Sequence, residues 1–238
     1  MKTRFILWLA LLAFASFVDA APIKIHFISG AREYKSEESL EKFIPWLEKH
    51  HDVKCTVSWG HDGIDKLPNL EALADADVMF VFARRMKLVE PQMKLIRAHW
   101  QKGKPIIGIR TASHAFQKAD NDVFDRQVMG GNYKGHFSNE LVKVSHLVKD
   151  HPVLDGVKSF SSGKLYKAGS LAKGTTVLQQ GDIGTDRQNV TWVNTWKGGR
   201  TFYTSLGIPD DFKTKDFKQM LVNAIYWTVR QKSGPVKN

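Results

Sequence analysis

Cysteine is almost missing from this sequence: Cys55 stands alone in 238 residues. No disulfide can form within the chain, so its stability must come from a packed core. Set in an apolar stretch, Cys55 reads as a packed thiol rather than a reactive one. Long hydrophobic runs are also scarce. Beyond residue 20 none approaches the ~18 apolar residues that span a bilayer, so no membrane span is expected. Arginine-rich runs and aromatic-basic repeats are missing too. Lys and Arg outnumber Asp and Glu by 35 to 24, yet they are scattered, which points to a solvated basic surface and away from nucleic acid as a partner. There is no internal repeat and no low-complexity linker, and hence no sign of an internal domain boundary.

With 42% hydrophobic and 11% aromatic residues the chain can build a proper core. Its start is of a different kind. Lys2 and Arg4 precede the apolar run 5–18, and Val18-Asp19-Ala20 places small residues where a signal peptidase reads. Residues 1–20 are therefore expected to be a signal peptide. Residues 21–238 would form one domain, exported to the periplasm or the extracellular space. No cysteine at the boundary offers a lipid anchor.

From there, strand and helix patterns alternate. Strands are expected at 23–29, 53–59, 77–83 and 105–109. Between them lie a helix over Leu40, Phe43, Ile44 and Leu47, capped by Ser36 and kinked at Pro45, a short helix near 70–76, and a helix from Pro91 to Gly103. Such alternation argues for a parallel sheet with right-handed crossovers. In the second half, 141–146, 165–168, 175–180, 190–195 and 201–206 have strand composition and suit an antiparallel extension. Thr214 then caps a last helix with one apolar stripe, Phe217, Met220, Leu221, Ala224, Ile225 and Thr228.

The informative stretch is Pro105 to Phe116. A β-branched run ends abruptly in Arg110, Thr111, Ser113 and His114, at the carboxyl end of a strand, where α/β sheets place their ligands. The turn has the position of a nucleophile elbow, but its apex is Arg110, and a guanidinium cannot attack. Strand order would bring Glu33 near Arg84, Arg85 and His114 in a common crevice. His136 and Tyr133 come from the glycine-rich loop 130–136, which lacks phosphate-loop spacing. Arginine forks and histidines suit carboxylates or vicinal hydroxyls, and Tyr133 suits a sugar ring. Zinc accepts ligands such as His114, His136 and Glu33, but their spacing does not support a metal site. No cofactor is expected.

Four segments, Gly-Ile-Arg-Thr-Ala-Ser-His-Ala-Phe (108–116), Gly-Gly-Asn-Tyr-Lys-Gly-His (130–136), His-Pro-Val-Leu-Asp-Gly (151–156) and Gly-Gly-Arg-Thr-Phe-Tyr-Thr-Ser-Leu-Gly (198–207), together resemble the ThuA-like, or trehalose-utilisation, family of the class I glutamine amidotransferase-like superfamily. The resemblance covers most of 23–227 and implies a flavodoxin-like α/β three-layer sandwich. Its sheet would be mostly parallel, with helices on both faces and a β-rich extension in the second half. A glutamine amidotransferase would carry Cys where Arg110 stands and a histidine where Ile208 stands, so glutaminase chemistry is not expected. The resemblance implies a carbohydrate ligand, bound and transformed in the crevice. Arg110, Thr111, Tyr133, Glu33, Arg84 and Arg85 would bind it, and His114 or His136 would move the proton. The alternative is a non-catalytic carbohydrate-binding or scaffold module. On this reading, replacing Arg110 should abolish binding and leave the melting temperature nearly unchanged.

Overall fold

The computed structural model describes residues 21–138 and 140–230. The expected signal peptide and the extreme C-terminal tail lie outside the described residues. Among the described residues nine strands form one sheet in the order β2-β1-β3-β4-β9-β8-β7-β5-β6. Strands β1 (Ile23–Gly30), β2 (Val53–Trp59), β3 (Val78–Ala83) and β4 (Ile106–Ile109) pair in parallel, and β9 (Gly199–Thr204) continues the series beside β4. From β9 outward every pairing is antiparallel, through β8 (Arg187–Trp196), β7 (Thr176–Asp182), β5 (Leu141–His146) and β6 (Phe160–Gly163).

The sheet is therefore mixed, which corrects the expectation of a mostly parallel one. The connections explain it. A parallel neighbour needs a crossover of a dozen or more residues, whereas only Lys197 and Gly198 separate β8 from β9. Both take positive φ (49° and 82°), the conformation a two-residue hairpin turn of this hand requires.

Side-chain alternation along β3 sorts the core into two layers. Val78, Phe80 and Phe82 face the cluster that holds α1 (Ser36–His50) and α4 (Lys215–Thr228). Met79, Val81 and Ala83 face the one that holds α2 (Glu90–Gln101). Helices thus cover both faces. The α4 stripe is buried throughout, and the Thr214 hydroxyl accepts from Phe217 N at 3.2 Å, as a cap should. Helix α1 differs from expectation. Lys35, not Ser36, precedes it, and the Ser36 hydroxyl accepts from Ala31 N and meets Ser29 Oγ, both at 2.9 Å. It ties the helix start to the end of β1. The helix runs on through Pro45.

Two second-half expectations also shift. Residues 165–168 make only an isolated bridge, Tyr166 to His136, rather than a strand. The strand β6, Phe-Ser-Ser-Gly, carries too little apolar content to be read from composition. No helix among the described residues is long and apolar enough to cross a membrane.

Candidate functional site at the strand carboxyl ends

Strand β4 runs into a tight turn, Arg110–His114, and Arg110 at its apex has φ +51°. The strained geometry of an elbow is present. The side chain, however, does not face solvent: Arg110 is 0% exposed. Its Nη1 donates to Ser205 O (2.5 Å) and more weakly to Gly163 O (3.4 Å), while Nη2 donates to Lys164 O (2.6 Å). The guanidinium carbon lies 4.4 Å from the Tyr34 ring centre and 4.3 Å from that of Tyr166. Carbonyl oxygens and two ring faces replace the water this charge has lost.

The turn is braced from behind. The Tyr203 hydroxyl donates to Arg110 O at 2.7 Å, and Gly207 and Ile208 N–H groups donate to Asp211 Oδ2 at 2.7 and 3.0 Å. Asp211 also receives the Ser162 hydroxyl, and burial pushes its carboxyl above the usual range. Asp210, by contrast, is exposed and paired with Lys213. Gly207 takes φ +118°, and a Cβ there would collide with Ile109 Cγ2, so only glycine fits this close approach.

Around Arg110 the expected residues do assemble. Arg84 sits between Glu33 (Nε to Oε2, 3.2 Å) and Asp62, joining the loops after β1, β2 and β3. Arg85, at φ +47°, donates its N–H to His114 O at 2.8 Å and so joins the β3 loop to the β4 turn. The His114 ring stacks on Tyr133, centroids 4.5 Å apart and planes 21° from parallel, and Tyr133 lies 4.8 Å from Tyr166. His114 Nδ1 meets Ser113 Oγ at 3.1 Å. Burial, and then the charges of Arg84, Arg85 and Arg110, push the imidazole down to about 3. It is neutral at physiological pH, with one ring nitrogen carrying a hydrogen and the other free to accept. His136 lies at the exposed rim, its Nδ1 on Phe137 O at 2.8 Å and its ring 6.5 Å from that of Tyr166. Thr111 is fully buried, with no hydrogen-bond partner for its hydroxyl among the described residues.

Three contributors were missed in the sequence reading. Tyr34 and Tyr166 wall in Arg110. Asp125, under the glycine-rich loop, accepts Tyr133 N at 3.0 Å, and burial pushes its carboxyl up to about 6. A signal for Asp125 existed in Gly131, whose missing side chain leaves space for the carboxylate. Asp125 and Tyr133, with Ser113, Tyr166, Tyr203 and Ser205, line a cavity of about 10 Å³, about the least that holds one water. Tyr34 and Tyr166 are buried, while Tyr133 and His114 remain half-buried and reach solvent. Among the described residues no three His, Cys, Asp or Glu side chains are grouped to hold a metal ion.

The profile of the family described as ThuA, trehalose utilisation, matches residues 24–228. No curated protein matches the chain in sequence. A ThuA-like protein of Bacteroides uniformis has a similar structure, with TM-score 0.70 at 17% identity over 93% of this chain and 97% of that one. A ThuA-like protein of Parabacteroides merdae gives 0.67 at 15%, over 89% and 91%. A β-galactosidase of Bacillus circulans gives 0.58 at 14%, over 93% of this chain and 35% of that much longer one. At such identities the likeness is one of fold.

Proposed function

Because the chain belongs to the ThuA, or trehalose-utilisation, family, we propose that it binds a sugar or an oxidised (keto) sugar derivative at the carboxyl edge of its parallel strands. We place this in an exported protein whose residues 21–238 form one domain. The observation that carries the reading is the stacked pair Tyr133 and His114. An aromatic plane offers the apolar face of a pyranose a partner, while Glu33, Arg84 and Arg85 stand beside it to meet hydroxyls. Arg110 acts in this scheme as the support of the platform, since its donors are already engaged by carbonyls. Glutaminase chemistry has no residues to work with, as the elbow apex is Arg110 and the later position is Ile208.

A transforming enzyme would use His114 or His136 to move a proton next to a carbonyl or glycosidic oxygen. A second reading, a binding module without turnover, is favoured by the His114 imidazole, which is held far below the neutral range where general acids and bases work best. Calorimetric titration with trehalose, other neutral disaccharides and their keto derivatives, with mass-spectrometric analysis of products, tests both. Heat of binding is expected with the native protein and is expected to vanish in Tyr133→Ala. Heat without new product selects the module. No heat from any sugar overturns the proposal.

A further inference from the structure

The charges around the aromatic face do not cancel. Arg84 is answered twice, by Glu33 and by Asp62. Arg85, Lys164 and Arg110 have no carboxylate in ion-pair contact among the described residues. All three adjoin the ring cluster. Arg85 is pinned by its backbone to His114. The Lys164 ammonium lies 5.2 Å from the Tyr34 ring centre, on the same ring that Arg110 covers at 4.4 Å. The remaining acids, Asp125 and Asp211, are buried behind the rings and bound to backbone amides. Arg85 is exposed and Lys164 half-buried, so these two can reach a ligand that Arg110 cannot.

We propose that the ligand of this face is an acidic sugar, a uronate or similar sugar carboxylate, whose ring packs against the outer side of the stacked Tyr133–His114 pair and whose carboxylate is met by Arg85 and Lys164. This rests on the sugar-binding reading and narrows it. A guanidinium fork and an ammonium are donors matched to a carboxylate, and after burial, the main cause, the charges of Arg84, Arg85 and Arg110 add to the depressed basicity of His114. A singly charged group suits the place better than a phosphate. The second negative charge of a phosphate would stand near Glu33, whose side chain is 41% exposed.

The test is calorimetric titration of the native protein with D-glucuronate, its neutral amide D-glucuronamide, D-glucose and D-glucose 6-phosphate. Glucuronate is expected to bind about tenfold more tightly than either neutral sugar, and the margin should shrink as salt is raised. In Lys164→Asn the margin should shrink severalfold while glucose still binds as to the native protein. Asparagine suits this position because Lys164 holds positive φ (58°), and an unchanged melting temperature checks the fold. Equal affinity for glucose or glucuronamide overturns the acidic ligand and leaves the sugar-binding reading intact. Tighter binding of the phosphate overturns the carboxylate. No heat from any of the four overturns both readings.

Discussion

Replacing Arg110 with alanine separates a ligand-binding arginine from one that holds the protein together. The structure predicts a large loss of stability. The substitution abandons close charge-assisted bonds to Ser205 O and Lys164 O and leaves both carbonyls unanswered, where each such bond is worth about 1.5–3 kcal/mol. It also removes a desolvated cation from between Tyr34 and Tyr166, about 2 kcal/mol, and opens a void the size of a fully buried arginine side chain. Against these stands the cost of keeping a guanidinium out of water, several kcal/mol, which the substitution recovers. The net expectation is a loss of about 3–5 kcal/mol. For a chain of this size that lowers the melting temperature by roughly 6–20 °C. Thermal unfolding followed by circular dichroism reads it directly. Arg110→Lys should recover part of the loss, because an ammonium keeps the charge but cannot fork between the carbonyls. A shift under about 2 °C would refute this account and restore the sequence reading, in which Arg110 serves only the ligand.

Further expectations concern pH and backbone. Burial pushes His26 and His99 down to about 4 and His114 to about 3. Unfolded histidines bind protons below about 6.5 while these folded ones do not, so stability should fall as pH drops from 6.5 toward 4, by up to ~1.4 kcal/mol per pH unit per group. Urea midpoints measured across that range check it, and a flat profile would contradict it. Asp125 works in the opposite sense. Its carboxyl is raised to about 6, so the folded state holds the extra proton and this contribution is lost as pH rises from about 4 to 6. Asp125→Asn should remove that component from the same titration. Gly207→Ala should cost about 2–3 kcal/mol, from the positive φ and the collision with Ile109, seen as a lower urea midpoint. An unaltered midpoint would mean the turn has room to move.

How much of this was legible in the sequence depended on range. Strands β1 to β4, their helices and the α4 stripe are local patterns of period two or 3.6, and they stand where the periodicity put them. The meeting of Glu33, Arg84 and His114 also followed from alternation alone, since parallel neighbours present their carboxyl ends on one edge. The fate of Arg110 was hidden. Its partners Gly163, Lys164 and Ser205 lie more than fifty residues away and offer backbone carbonyls, which no side-chain pattern announces. Tyr166 escaped for a related reason: its segment has strand composition, yet it leaves the ladder after one bridge to wall in the arginine. The mixed character of the sheet turned on the two-residue hairpin at Lys197 and Gly198, which rules out a crossover at that point.

The reach of Arg110 says something about the shape of the sheet. Strand β6 lies five places from β4 in the strand order; laid flat, at roughly 4.8 Å per step, that is about 24 Å. One side chain leaving the end of β4 nevertheless touches the carbonyls at and just after the end of β6. The antiparallel wing must therefore curl toward the face that carries α4, where Phe160 meets Phe217, like the loose end of a belt with the guanidinium as its buckle. Any breathing that lets the last strand swing away would unmake Tyr166 and Lys164 as neighbours of the site in the same movement. Curling of the wing and assembly of the ring cluster around Arg110 are then a single event.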